Sequence, residues 1–298
     1  MTREEPRPDK GGPTLVAVTS RAHAKRLREE EEARQRRVER EQAASRRTAA
    51  INARTAELEA ADAQEGRVAW TLPEAAAVLA VMMASLFASD ALLASEVVRS
   101  VPMHGQAAAR AAVLAVFYAV QLLTLGFLAA RRRRSFRVAF GLTRRSGART
   151  RTLQSAALVL AGLVVTRGVS TLWGVTARAA GWDPPAAGDL QAVFGAGGAG
   201  LLLAVVTVVV LGPLAEELAF RGVVLRAAGA RWGQWPAIVG TAALFSAYHV
   251  TAWTAVPHFV LGVVLGWLAW RRRSLFSAIA LHSLSNGIVV AAAYWLAR

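Results

Sequence analysis

Cysteine is absent from this chain of 298 residues. Its absence excludes disulfide bonds, thiolate metal ligands and a cysteine nucleophile. Acidic residues are scarce beyond residue 68, because only seven of the 20 Asp and Glu residues lie in residues 69–298, against 20 of the 35 Lys and Arg residues. A body that is apolar except for short basic clusters is typical of a membrane protein, not of a soluble basic domain.

The formal net charge of +15 raises the possibility of nucleic-acid binding. The basic residues of the body, however, lie between long apolar runs, where the positive-inside rule places them in membrane proteins. No nucleic-acid-binding motif accompanies them. We therefore expect the lipid bilayer, and no nucleic acid, to be a partner of this chain.

The first 68 residues form a charged segment without an apolar run. Residues 1–20 combine proline, glycine and mixed charge, which is typical of disorder, and they are too polar for a signal peptide. Residues 21–64 place acidic Glu29 to Glu32 before Arg34, Arg36 and Arg37, a spacing that favours a solvated helix. The segment is either a simple cytoplasmic tail or an arm that binds a partner or regulates the protein.

The remainder predicts an all-α, multi-pass transmembrane helix bundle of about seven spans. A helix needs roughly 20 apolar residues to cross the hydrocarbon core. The predicted spans are 72–95, 108–130, 153–175, 197–215, 236–254, 257–270 and 275–296, and the fourth is expected to continue as a helix to about residue 229, past Gly212-Pro213. We divide the chain into a tail (1–68), N-terminal membrane helices with a basic loop (69–152) and a C-terminal membrane domain (153–298).

Arginine clusters predict the orientation of these spans. Arg131 to Arg134 follow the second span, Arg226 and Arg231 follow the fourth, and Arg271 to Arg273 follow the sixth. Loops rich in Lys and Arg face the cytoplasm. Seven crossings with a cytoplasmic N-terminus satisfy all three loops, and the Ala- and Arg-rich composition indicates a bacterial cell membrane.

Ionisable residues within membrane spans are costly and are therefore functional candidates. The C-terminal half holds a compact set of them, namely Glu216, Glu217, Arg221, His249, His258 and His282, together with the polar Asn286. The i,i+4 spacing of Glu217 and Arg221 suits an ion pair and leaves Glu216 free. His282 and Asn286 also lie four residues apart, so they project from the same helix face.

The depth of these residues in the membrane predicts a common site. A helix rises about 1.5 Å per residue, which places Glu216 roughly 15–20 Å, His249 roughly 20 Å and His282 roughly 13 Å from the basic cytoplasmic ends of their spans. Glu216 with His249 could deprotonate a water molecule. His282 and Asn286 could stabilise the oxyanion of a tetrahedral intermediate. The reaction class would be hydrolysis of a peptide bond.

Three motifs in this region resemble those of the CPBP family (CAAX protease and bacteriocin-processing, or Abi, proteins), which includes the type II CAAX prenyl endopeptidases. The motifs are Glu216-Glu217-x-x-x-Arg221, Phe245-x-x-x-His249 and His282-x-x-x-Asn286. The resemblance covers about residues 150–296. It implies an intramembrane endopeptidase that acts on a membrane-embedded or membrane-associated peptide or protein.

The resemblance also implies a role for each motif residue. Glu216 and His249 would activate water, His282 and Asn286 would stabilise the oxyanion, and Glu217, Arg221 and Phe245 would support the site. Members of the family are often called metalloproteases, and Glu and His can ligate zinc. No His-Glu-x-x-His motif is present. Zinc therefore stays possible as a cofactor, although a metal-free, glutamate-dependent reaction is preferred.

Other interpretations lead to different functions. The chain could be a non-catalytic CPBP-family scaffold or a membrane protein that confers self-immunity against a bacteriocin. Transporters often contain paired broken helices, but only one Gly-Pro break is visible here. Gly188-Asp189 suggests an aspartyl protease, but Asp189 lies in a predicted loop without a partner. His258 is interpreted as a structural or interfacial residue, and the first three spans show no chemistry of their own.

Overall fold

The computed structural model describes residues 28, 31–32, 34–50, 53, 70–142, 149–182 and 190–296. The chain divides into two units, Met1–Ala53 and Arg54–Arg298. In the first unit, residues 34–50 are helical and exposed. Arg36 pairs with Glu32 at 3.2 Å and Arg37 pairs with Glu41 at 3.1 Å. The predicted solvated helix is confirmed there, whereas the predicted disorder of residues 1–20 and the loop residue Asp189 lie outside the described residues.

The second unit is built from seven main helices. They are α1 (Leu72–Leu93), α2 (Met103–Arg131), α3 (Arg149–Ala179), α4 (Gly198–Trp232), α5 (Gln234–Tyr248), α6 (Ala255–Arg272) and α7 (Phe276–Ala291). Short helical turns lie between them, and the part of the chain that the structure describes contains no strand. The predicted all-α class is therefore confirmed.

Six of these helices are long and apolar enough to cross a membrane. The exception is α5, whose 15 residues extend only about 22 Å, less than the ~30 Å hydrocarbon core. The fifth predicted span, 236–254, is therefore too long: its last residues form the turn between α5 and α6. The chain is a multi-pass membrane protein in which α5 and α6 pack as a hairpin.

Helix α1 begins at a well-defined cap. Thr71 and Glu74 form a reciprocal capping box, and a proline occupies the first turn. The Glu74 carboxylate also accepts two hydrogen bonds from Arg132, at 2.9 and 2.7 Å, which joins the start of α1 to the end of α2. A bidentate arginine–carboxylate pair fixes orientation as well as distance.

Helix α4 is continuous from Gly198 to Trp232. The predicted continuation of a helix past Gly212-Pro213 is confirmed, and it ends three residues later than expected. Two stretches, Val205–Leu211 and Phe220–Val224, are π-helical. Such wider turns leave backbone groups available and are frequent at functional sites.

The α5–α6 hairpin depends on close contact at Gly262. A Cβ atom at this position would lie 2.9 Å from the Cα atom of Ala242. The neighbouring Gly266 faces Ile238 at an ordinary packing distance of 3.4 Å. These glycines therefore let α5 and α6 pack closely, and Gly262 is the position where a side chain has no room.

We expect Gly262→Ala to destabilise the protein by about 1–3 kcal/mol, since the added methyl group meets backbone atoms that cannot rotate away. The measurement is the thermal unfolding midpoint in detergent. The matched control is Gly240→Ala on α5, where an added Cβ has no neighbour within 4 Å. Equal unfolding midpoints for the two variants would contradict close packing at Gly262.

Candidate active site

The centre of the second unit contains a buried group of charged side chains on α4. Glu217 and Arg221 have side-chain exposures of 0%, and Glu216 has a side-chain exposure of 10%. Apolar residues of α4 such as Leu218 and Phe220 are also fully buried. Because charges are rarely buried without partners, the contacts of these three residues define the site.

Arg221 and Glu217 form the ion pair that their spacing predicts. Arg221 Nη1 lies 2.8 Å from Glu217 Oε1, and Nη2 donates to the Gly262 carbonyl at 3.2 Å. The guanidinium carbon lies 4.3 Å from the ring centroid of Phe245, within cation–π range. Arg221 thereby connects α4 with the α5–α6 hairpin.

The same Glu217 oxygen also interacts with α7. His282 Nδ1 lies 2.9 Å from Glu217 Oε1. Since a carboxylate oxygen can only accept, Nδ1 carries the hydrogen, and the carboxylate fixes the orientation of the imidazole. The sequence assigned Glu217 a supporting role, but it did not indicate this contact, which depends on the packing of α7 against α4.

Glu216 lies between two histidines from different helices. Its Oε2 atom is 3.9 Å from His249 Nε2 and 3.9 Å from His282 Nε2. Both distances exceed a direct hydrogen bond, and Oε2 has no hydrogen-bond partner among the described residues. Glu216, His249 and His282, three of the four predicted catalytic residues, are therefore brought together.

The position of His249 follows from the end of α5. His249 is the C-cap residue of this helix, and its Nδ1 lies 2.8 Å from the Phe245 carbonyl oxygen. Nδ1 is therefore the donor, which leaves the Nε2 lone pair directed at Glu216 when the ring is neutral. The next residue, Val250, has a left-handed φ of 51°, and this sharp turn ends the helix at the histidine.

The Phe245 ring lies at the centre of the three site histidines. Its centroid is 4.7 Å from that of His249, 5.7 Å from that of His282 and 6.1 Å from that of His258, in edge-to-face arrangements. Phe245 itself is fully buried. It also lies 4.3 Å from the Arg221 guanidinium carbon, and its supporting role stays a prediction.

His258, interpreted from the sequence as a structural or interfacial residue, also belongs to this group. Its ring stacks on that of His249 with centroids 3.8 Å apart and an interplanar angle of 19°. The difference arises because α5 ends at Tyr248, so the first turn of α6 returns directly beside His249. The sequence signal that could have predicted this contact is the spacing of nine residues between His249 and His258, which a short turn brings together.

Asn286 contacts the backbone of α4, and its predicted oxyanion role stays a prediction. Its Nδ2 atom donates to the Val208 carbonyl at 2.9 Å, inside the first π-helical stretch of α4. No contact joins it to Glu216 or His249 within the described residues. Its i,i+4 spacing from His282 places it on the same face of α7, one turn farther along the helix.

Two tyrosines and a glutamine extend the polar region toward α1 and α2. Gln121 Nε2 donates to the Tyr248 hydroxyl at 3.2 Å and to Ser85 at 3.3 Å. A Cβ atom at Gly212 on α4 would lie 2.9 Å from the Tyr118 hydroxyl oxygen. Polar side chains of α2 therefore contact both α4 and α5, and the expectation that the first three spans carry no chemistry of their own stays a prediction.

The carboxylates and imidazoles of the site are possible metal ligands. Among the residues that the structure describes, no group of three or more His, Asp or Glu side chains is arranged to hold a metal ion. Glu217 Oε1 is shared by Arg221 and His282, and the Nδ1 atoms of His249 and His282 are already hydrogen-bonded. The arrangement does not fit the zinc site considered from the sequence, and no reaction step is derived through a metal.

Residues 198–288 match the family model described as "Rce1-like: Type II CAAX prenyl endopeptidase Rce1-like". About a third of the chain is therefore similar to this family. The match includes all three motifs, so the predicted resemblance to the CPBP family is confirmed for this segment. No curated protein and no solved structure matches the chain. The matched segment comprises α4 to α6 and most of α7, and it includes Glu216, His249 and His282.

Proposed function

We propose that this protein is an intramembrane endopeptidase that hydrolyses a peptide bond with a water molecule activated by Glu216 and His249. The observation that carries the proposal is the convergence of two imidazole Nε2 atoms on Glu216 Oε2, each at 3.9 Å. A water molecule can bridge polar atoms at such a separation. The match to an endopeptidase family over the same residues supports this reaction class.

The first step is deprotonation of the attacking water. Glu216 Oε2 accepts one water proton, while the lone pair of His249 Nε2 accepts a hydrogen bond from the other. The Phe245 carbonyl keeps the hydrogen of His249 on Nδ1, so Nε2 stays an acceptor. The water oxygen then forms a bond to the carbonyl carbon of the substrate.

The negative charge that develops on the carbonyl oxygen of the substrate is stabilised by hydrogen-bond donors. His282 provides one from Nε2 when its ring is protonated, and the Glu217 carboxylate at Nδ1 stabilises that imidazolium. Asn286 donates one amide hydrogen to Val208, so its second amide hydrogen is the one available to the oxyanion. When the C–N bond breaks, Glu216 returns its proton to the leaving amine, and the second water proton stays with the new carboxyl group.

The substrate and the orientation follow from the membrane location. We propose that the substrate is a membrane-embedded or membrane-associated peptide or protein, since the site lies among membrane-spanning helices. We further propose a cytoplasmic N-terminus in a bacterial cell membrane, from the basic loops after α2 and α6. The division into a tail (1–68), N-terminal helices (69–152) and a catalytic domain (153–298) belongs to the same proposal.

The test is a cleavage assay with the purified protein in lipid nanodiscs. A mixture of membrane proteins serves as substrate, and new peptide termini are identified by mass spectrometry, with and without a chelator. Termini that appear only with the protein, and equally in both conditions, support the proposal. No new terminus would favour the non-catalytic scaffold or immunity role, and activity that a chelator removes and zinc restores would contradict the metal-free reaction.

His258 provides a prediction about positioning. We expect His258→Ala to lower kcat by roughly threefold to tenfold, because the stacked ring that orients His249 contributes about 0.5–1.5 kcal/mol. His258→Phe should retain most of kcat, since it preserves a flat ring without an imidazole. Steady-state cleavage rates of the three proteins decide this, and equal losses in both variants would instead assign His258 a proton-transfer role.

A further inference from the structure

Arg167 is a charged residue near the middle of a membrane-spanning helix that the proposed reaction does not use. It lies on α3, within the candidate span Thr152–Ala179. The nearer end of that span is 12 residues away, or about 18 Å. An arginine side chain cannot extend over that distance to the lipid headgroups, so snorkelling does not explain its position.

The Arg167 guanidinium has no carboxylate partner among the residues that the structure describes. Its Nε atom is buried without a hydrogen-bond partner. Its one hydrogen bond runs from Nη2 to the Ser170 hydroxyl, at a long 3.5 Å. A guanidinium that lies within a membrane span and has no anion is costly, and an intramembrane charge of this kind is a candidate for substrate binding.

Packing of α3 places Arg167 at the depth of the candidate active site. A Cβ atom at Gly162 would lie 3.1 Å from Val264 Cγ1. Eleven residues later, Trp173 Nε1 donates to the Trp253 carbonyl at 2.5 Å. Residue numbers on α3 increase from the first contact to the second, whereas those on α6 and the turn before it decrease, so the two segments run antiparallel. Arg167 therefore lies between the levels of these two contacts.

Interpolation between these two contacts places Arg167 at about the level of His258 on α6. His258 in turn stacks on His249 at 3.8 Å. Arg167 therefore lies at the level of the end of the row Glu216, His249, His258. A peptide in extended conformation, at about 3.4 Å per residue, covers this row with a few residues.

We propose that Arg167 binds a carboxylate carried by the substrate within a few residues of the bond that is cleaved. The guanidinium matches a carboxylate with two parallel hydrogen bonds, and this geometry selects carboxylates over neutral groups. The carboxylate is either the free C-terminus of a peptide or an Asp or Glu side chain. This inference rests on the proposed peptidase function, because it assigns part of the substrate to the same site.

The test measures binding, so it does not depend on turnover. Glu216→Gln protein in phosphatidylcholine nanodiscs is mixed with randomised apolar octapeptides, N-acetylated and prepared in three forms. One form has free C-terminal carboxylates, the second has C-terminal amides, and the third has C-terminal amides with one internal Asp. Ligand binding raises the thermal unfolding midpoint according to ligand affinity.

We expect a carboxylate-bearing form to bind at least about tenfold more tightly than the plain amides, because charge-assisted hydrogen bonds contribute this much. Preference for the first form would identify a C-terminal carboxylate, and preference for the third would identify a side chain. Arg167→Gln should abolish the preference. Arg178→Gln, which removes a charge at the end of the same helix, should leave it unchanged.

Two outcomes would overturn the proposal: equal binding of all three forms by the protein that retains Arg167, or the same preference in Arg167→Gln. The peptidase proposal is tested separately. Protein that retains Glu216 is incubated with the same peptides, and cleavage products are identified. Carboxylate preference without any product would retain the role of Arg167 and contradict the peptidase. Product formation that is unchanged in Arg167→Gln would support the peptidase and contradict the role of Arg167.

Discussion

Glu216→Gln is expected to reduce peptide-bond cleavage by roughly 10²- to 10⁴-fold, the range that a positioned general base contributes. Glutamine preserves the shape of the side chain but cannot take a proton from water. Because Glu216 Oε2 makes no direct hydrogen bond with the described residues, the substitution should leave the fold intact. The measurement is the rate of product formation at equal amounts of folded protein.

The matched control for this experiment is Glu96→Gln, which removes a carboxylate whose side chain is 86% exposed and distant in sequence from the three motifs. This variant should cleave at the rate of the unmodified protein. Thermal unfolding of both variants in detergent shows whether the fold is retained. Substantial cleavage by folded Glu216→Gln protein would remove Glu216 from the role of base.

Arg221→Ala is expected to destabilise the protein by about 3–5 kcal/mol, the typical cost of removing one partner of a buried ion pair. Both side chains of the Arg221–Glu217 pair are fully buried. The substitution leaves the Glu217 charge with His282 alone and deprives the Gly262 carbonyl of its donor. The unfolding midpoint in detergent and the yield of folded protein measure the effect.

Two further variants separate the ion pair from other effects of the mutation. Arg231→Ala removes an exposed arginine near the end of the same helix and should have little effect. The double variant Arg221→Met with Glu217→Gln removes both buried charges, so it should unfold at a higher temperature than Arg221→Ala. An unfolding midpoint of Arg221→Ala equal to that of the unmodified protein would show that the pair does not stabilise the fold.

Much of the fold could be predicted because membrane helices have a simple sequence signature. Long apolar runs bounded by arginine clusters identified α1, α2, α3, α4, α6 and α7. The short α5 was overestimated because hydropathy continues through Val250 to Trp253, where the chain has already turned. The end of α5 depends on the left-handed conformation at Val250, which no composition rule indicates for a β-branched residue.

Contacts in the candidate site were predictable from the sequence where both residues lie on the same helix. The spacing of Glu217 and Arg221 predicts their ion pair, and motif order predicts that Glu216, His249 and His282 converge. Relationships between helices were not predictable in this way. The bond from His282 to Glu217 and the level of Arg167 relative to His258 depend on how α3, α6 and α7 pack, and sequence spacing along one helix does not encode that packing.

The measurement that tests the central proposal most directly is terminal-peptide proteomics on the producing cell. Cells with the unmodified protein are compared with cells that contain Glu216→Gln at matched, membrane-inserted levels. We predict new protein termini that depend on Glu216, and these termini would identify both the protease activity and its substrate. Identical sets of termini in the two strains would contradict an intramembrane peptidase and favour a scaffold or immunity protein.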